Sequence, residues 1–266
     1  MALATTAKPW VKRIAQAGYI AKGVVYVLLG LLGFMAAFEL AGQRGQKASQ
    51  SGILQLVKDL PAGTLLLLLL ATGLLCYSIW RGIQTFYQPK GDKKWPTRLR
   101  YLASGLAYLA LAYAAIQMVI KDRSAGGGDQ NQALASELLQ QPLGQALVGL
   151  AALVFAGTGI YQIYYGLSEK YKKHVQDLSL QSTYASTLLR SGKIGYISRG
   201  LVWLVIAFLF LRAAIYSRAS EAGNTDKAFR FVEDSPFGSY ILGALGLGLV
   251  AYGIFNFIRA RYEQFS

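Results

Sequence analysis

Six polar residues at matched positions of this chain could together hold an anion. Lys22, Ser104 and Arg199 stand fifth in three copies of one motif: Gly18-Tyr19-x-x-Lys22-Gly23-x-x-Tyr26, Arg100-Tyr101-x-x-Ser104-Gly105-x-x-Tyr108 and Gly195-Tyr196-x-x-Arg199-Gly200-x-x-Trp203. Arg81, Gln162 and Asn256 stand twenty residues after the prolines of a second motif, Pro61-x-Gly63, Pro142-x-Gly144 and Pro236-x-Gly238, each preceded by an aromatic (Trp80, Tyr161, Phe255). If both sets fall at one depth they form a polar ring. Three cations among six positions favour a phospholipid headgroup, a phosphate or a carboxylate, through charge-assisted hydrogen bonds. The competing expectation is that the cations snorkel to the membrane interface or bond to neighbouring helix ends. Snorkelling lowers the cost of placing them there, so the balance favours it.

A second polar set, Gln117 and Arg212, stands nine residues beyond the last aromatic of the first motif, with Met35 as its counterpart. It would either line an outer vestibule or let Arg212 snorkel outward toward Glu39 or Asp122, and the length of the side chain favours the second. No carboxylate falls in the middle of an apolar stretch, and Glu39, Asp59, Asp122 and Glu137 lie at or beyond outer ends. His174 is the sole histidine and Cys76 the sole cysteine, so neither a histidine metal site nor an internal disulfide is expected. No base pairs with a Ser, Cys or Lys at a spacing that suits a nucleophile. No catalytic residue, metal, cofactor or buried charge network is therefore expected, and enzymatic activity is not.

These residues must be positioned by membrane helices. Hydrophobic side chains make up 54% of the 266 residues, charged ones 15%, and the mean hydropathy is +0.34. Six apolar windows (near 18–38, 62–82, 101–120, 143–164, 194–215 and 237–258) each run about 20 residues, or about 30 Å of helix, enough to cross a bilayer. The prolines follow the first position of each opening motif by 43, 42 and 41 residues, so the chain is one membrane domain over 1–266 built of three repeats, 13–90, 95–170 and 190–265. Each repeat has two spans, so the repeats enter the membrane in parallel, and a pseudo-threefold bundle is expected. Gly23, Gly105 and Gly200, with the glycines of the second spans, suit close helix packing. Ahead of each proline, Ile53 and Val57, Leu134 and Leu138, and Ala228 and Val232 recur eight and four positions back, the spacing of a short amphipathic outer helix. Ser49, Gln130 and Asn224 stand near its start, and the proline is expected in the first turn of the next span.

The formal charge is +14 and the pI about 9.8. Of 27 basic residues, eighteen fall before the first window, in the second and fourth connections, after the sixth window, or in the adjoining helix ends, whereas only four of 13 acids do. All the net charge therefore gathers on one face. The positive-inside rule then puts both termini in the cytoplasm and the protein in a plasma (inner) membrane. The basic stretch from Lys8 to Lys22 carries the repeated motif, so it reads as a retained element and not as a cleaved signal. The loops around Lys93-Lys94 and Lys170–Lys173 carry no RNA- or DNA-binding motif, so anionic lipid headgroups are the expected partners and nucleic acid is not. A protein partner or a homo-oligomer is compatible with the same surface.

The Gly-Tyr-x-x-Lys/Arg-Gly openings of repeats one and three, the apolar element ending in Pro-x-Gly, and the Tyr77-x-x-Trp80-Arg81 close of a second span resemble a bacterial family known as domain of unknown function 1206. The likeness runs from about residue 13 to 262 and departs at Arg100 and Ser104. It implies two-span units in threes and carries no activity or site residues. Two readings stay open: a non-catalytic scaffold, partner or lipid-interacting subunit, which the abundance of close-packing glycines favours, or a conduit or carrier for a small anionic solute.

Overall fold

The computed structural model describes residues 9–38, 50–86, 95–120, 130–174 and 183–263, and the regular elements among them are all helical. In chain order they are α1 (Pro9–Ala37), α2 (Gln50–Lys58), α3 (Gly63–Phe86), α4 (Trp95–Ile120), α5 (Gln130–Leu139), α6 (Gly144–Leu167), α7 (Thr183–Tyr216), α8 (Thr225–Glu233) and α9 (Gly238–Tyr262). The helices α1, α3, α4, α6, α7 and α9 are long and apolar enough to cross a membrane. Several run past their apolar windows: α1 begins at Pro9, and α7 at Thr183. A proline at the first helical position costs nothing, because its missing N–H has no partner there in any helix. The short helices α2, α5 and α8 each lie between the two spans of one repeat. Glu39, Ser49, Lys93-Lys94 and Asp122 lie outside the described residues, as does the side chain of His174.

The Pro-x-Gly motif makes the same turn three times. Gly63 N–H donates to Leu60 O (2.8 Å), Gly144 to Gln141 O (2.9 Å) and Gly238 to Ser235 O (2.8 Å). The middle residues Ala62, Leu143 and Phe237 take left-handed φ values of 60°, 63° and 60°. The prolines therefore precede the span by two residues and are not in its first turn, as the sequence had suggested. A rigid proline φ followed by a left-handed residue bends the chain sharply. The glycine is required by what lies behind it: a Cβ would stand 2.1 Å from Lys58 O at Gly63, 2.6 Å from Leu138 O at Gly144 and 2.2 Å from Glu233 O at Gly238.

The short helices bury the expected stripe in repeats one and three, where Ile53, Leu54 and Val57, and Ala228, Phe229 and Val232, are buried. Repeat two differs. Leu134 is exposed and Leu138 half-buried, and Ala135, one position on, faces inward. Asn224 caps α8, its side-chain oxygen accepting from Asp226 N (2.9 Å) and Lys227 N (3.3 Å).

The spans meet in a particular order. Helix α3 packs on α4, α6 on α7 and α9 on α1, so the second span of each repeat lies against the first span of the next. All three seams place the same position pair in contact. A Cβ on Gly253 would fall 2.8 Å from Gly23 O, a Cβ on Gly159 2.8 Å from Gly200 O, and Ser78 Oγ donates to Gly105 O at 2.9 Å. Within a repeat, α1 packs on α3 with Gly18 against the backbone of Tyr77, and α7 on α9 with Gly195 against the backbone of Tyr252. In repeat two the glycine is Arg100 and the tyrosine Thr158. A side chain cannot occupy a slot where even a Cβ would lie 2.5 Å from a backbone Cα. Helices α4 and α6 accordingly make no extended contact. They are bridged at one end, where Arg100 Nη1 donates to the Tyr161 hydroxyl.

Candidate functional site: a buried cluster of cations and tyrosines

The first-motif cations fall one turn into the apolar part of α1 and α7, and the tyrosines of α3 and α9 stand sixteen residues after the prolines of the second motif, so all four arrive at one level of the bundle. Lys22 is 2% exposed, and its Nζ donates to the hydroxyls of Tyr77 (3.1 Å) and Tyr252 (2.9 Å). The ring centres of Tyr77, Tyr252, Tyr108 and Tyr26 lie 4.9, 5.1, 5.7 and 6.0 Å from the same nitrogen. Arg81 reaches Tyr77 from below, with Nε at 2.8 Å and Nη2 at 2.5 Å, and gives Nη1 to Gln84 at 2.6 Å. Arg199 Nη1 donates to Tyr252 at 2.8 Å while its guanidinium covers Tyr26, 5.2 Å from the ring centre. Three cations thus converge on two phenol oxygens, and among the described residues none of the three pairs with a carboxylate.

A second layer adjoins it. Arg259 clasps Glu263 with Nε and Nη2, each at 2.6 Å, and stands over Tyr19, whose hydroxyl donates to Glu263 at 3.1 Å. Both charged residues are buried. Outside the spans, Tyr171 donates to Leu189 O at 3.0 Å, and burial pushes its phenol up to about 12, which keeps the donor proton in place. Hydrogen bonds from Lys172 and the nearby Lys193 hold the Glu169 carboxyl below its usual range.

Of the six ring candidates, the structure brings Lys22, Arg81 and Arg199 together, pointing into the bundle at Tyr77 and Tyr252. The snorkelling expectation is corrected for these three. Gln162 and Asn256 are buried, but Asn256 turns its Nδ2 to Tyr252 O at 2.7 Å, a bond within its own helix, and Ser104 is half-buried. Gln117 is half-buried; Arg212 pairs with Glu221 at 3.0 Å, and its expected partners Glu39 and Asp122 lie outside the described residues. The expectation of no buried charge network is also corrected. It overlooked Tyr77 and Tyr252, which stand sixteen residues after their prolines in two repeats, and the Arg259–Glu263 pair four residues apart at the close of α9. A surface hollow beside Leu139, Leu143, Gln145 and Ser217 lies at the other end of the bundle and touches none of these groups.

Six spanning-length helices around a core of cations and phenols define a multi-pass membrane protein with a polar, positively charged centre. The chain belongs to the family described as Domain of Unknown Function (DUF1206), whose model matches it three times in tandem, at residues 17–88, 99–169 and 194–263. It is 29% identical over 263 residues to the uncharacterized protein YxxB of Bacillus subtilis (strain 168), covering 97% of this chain and 94% of that one. No solved structure matches it.

Proposed function

We propose that this is a non-catalytic, anion-binding protein of the plasma membrane, carrier-like in kind, whose inner cluster seats a phosphate or carboxylate group. The observation that carries the reading is the inward convergence of Lys22, Arg81 and Arg199 on Tyr77 and Tyr252 without a carboxylate among the described residues. Taking each cation out of water costs several kcal/mol, and cation–π contacts return about 2 kcal/mol each when desolvated, so an anion that shares the three donors stabilises the arrangement. The rival reading, a scaffold or partner subunit, is favoured by the close glycine seams and needs no ligand. The two readings separate on thermal unfolding of the purified chain with inorganic phosphate and with phosphatidylglycerol as probes. At least one probe is expected to raise the midpoint, through a stabilisation of about 2.7 kcal/mol at one hundred times its Kd. Arg81→Gln is expected to weaken that probe about ten- to a hundredfold, as for a lost charge-assisted contact. No stabilisation by either probe would leave the scaffold.

The bundle is proposed to be pseudo-threefold about an axis along the membrane normal, which the cyclic order of the three seams supports, with both termini in the cytoplasm, which the eighteen-to-nine division of basic residues supports. In a Cys76→Ala background, a cysteine at Ser220 is expected to react with an impermeant maleimide added to whole spheroplasts. A cysteine at Lys172 should react only after lysis, and the reverse pattern would invert the topology.

A further inference from the structure

Repeat two differs from its neighbours at three positions at once. Where repeats one and three carry a glycine, a cation and a tyrosine (Gly18, Lys22 and Tyr77; Gly195, Arg199 and Tyr252), it carries Arg100, Ser104 and Thr158. The first change holds α4 away from α6, because the slot that would close the seam admits no side chain. The other two leave the cluster short of partners on that same side. Lys22 bonds the tyrosine of its own repeat, Tyr77, and that of the preceding repeat in the cycle, Tyr252. Arg199 bonds its own, Tyr252, but the preceding repeat offers Thr158, whose hydroxyl turns back to Val154 O at 2.8 Å. The Arg199 Nε is consequently buried without a partner, and so is the hydroxyl of Tyr108, a residue of α4 that is 5% exposed and packs its ring against Tyr77. Two unmatched donors in the interior point to an acceptor supplied from outside the chain.

We propose that the anionic group of a membrane amphiphile reaches the cluster sideways between α4 and α6, with one oxygen accepting from Arg199 Nε and the Tyr108 hydroxyl beside Lys22. The inference rests on the anion-binding reading above and adds the source and the route. The helices that border the opening carry exposed apolar side chains, Leu106 and Leu109 on α4 and Leu150 and Leu153 on α6, which suit acyl chains and not a hydrated ion. The bridge from Arg100 to Tyr161 gives the opening one polar end, the place for a headgroup's remaining oxygens. A lipid phosphate and free phosphate present the same oxygens, so the route is what distinguishes them.

The test uses the full-length chain in detergent, with phosphatidylglycerol and inorganic phosphate titrated separately and thermal unfolding as the readout. Phosphatidylglycerol is expected to raise the midpoint and inorganic phosphate to leave it unchanged. Tyr108→Phe removes a hydroxyl with no partner in the protein, so the fold is retained, and lipid affinity should fall about tenfold; Arg199→Gln should lower it about ten- to a hundredfold. Thr158→Tyr restores the second phenol that the repeat pattern sets beside Arg199 and should weaken the lipid as well. Equal stabilisation by both probes, with Thr158→Tyr without effect, would overturn the lateral route while leaving the anion-binding reading in place. Lipid stabilisation untouched by Tyr108→Phe and Arg199→Gln would overturn the assigned site. No stabilisation by either probe would overturn both proposals.

Discussion

Glu263→Gln is expected to destabilise the protein by about 3–5 kcal/mol, the cost of leaving one member of a buried ion pair without its partner. Glu263 is 6% exposed and accepts two guanidinium N–H groups from Arg259 and the Tyr19 hydroxyl, so it joins the close of α9 to α1. The charge dominates this figure. Hydrogen bonds between membrane helices average about 0.6 kcal/mol, so loss of the Tyr19 bond alone would be slight. Arg259 is itself 7% exposed and, among the described residues, has only the Tyr196 hydroxyl, 3.5 Å away, as a further acceptor. Removing both charges in Glu263→Gln with Arg259→Met should therefore recover most of the loss, because the expense lies in the unpaired guanidinium. Equilibrium unfolding in mixed micelles measures both. A single-variant loss under 1 kcal/mol, or a double variant no better than the single, would mean that water reaches Arg259.

Gly195→Ala is expected to cost about 2–3 kcal/mol, at the upper end for overpacking, because the added methyl would meet backbone that has nowhere to move. Its Cβ would lie 2.5 Å from Tyr252 Cα and 2.7 Å from Tyr252 N. The displacement would also draw the Tyr252 hydroxyl away from Lys22 and Arg199, so anion binding should weaken in the same variant. Gly157→Ala is the control. A Cβ there meets nothing within 4 Å, so the better helix propensity of alanine should add up to about 1 kcal/mol of stability. If Gly195→Ala behaved like Gly157→Ala, the α7–α9 seam would be looser than described, and the account of Arg100 as the wedge in repeat two would fall with it.

The placement of the cluster follows from these seams and not from the cations themselves. Lys22 and Arg199 sit four residues beyond the seam glycines Gly18 and Gly195 and directly precede the next ones, Gly23 and Gly200. Four residues is about one helical turn, so each cation stands above a contact close enough to press backbone on backbone. Its side chain is then directed inward between the helices before it could reach the headgroups. The tyrosines complete the arrangement, since a phenol offers both an oxygen for the donors and a ring face for the charge.

By itself the sequence determined the number of spans, the three repeats and the short helices between paired spans, because length and apolar periodicity are local properties. It also marked Lys22, Arg81 and Arg199 as one set, and Arg100 and Ser104 as departures from the pattern. It did not determine which way the cations point. A lysine with no acid in its span can snorkel outward or turn inward, and the choice depends on partners more than 50 residues away, Tyr77 for Lys22 and Tyr252 for Arg199. Nor could local pattern distinguish a repeat that closes from one that does not. That was decided by whether a backbone Cα occupies the space beside motif position one, at Tyr77 and Tyr252 but with Arg100 in the corresponding slot of repeat two, which is a property of helices already packed together.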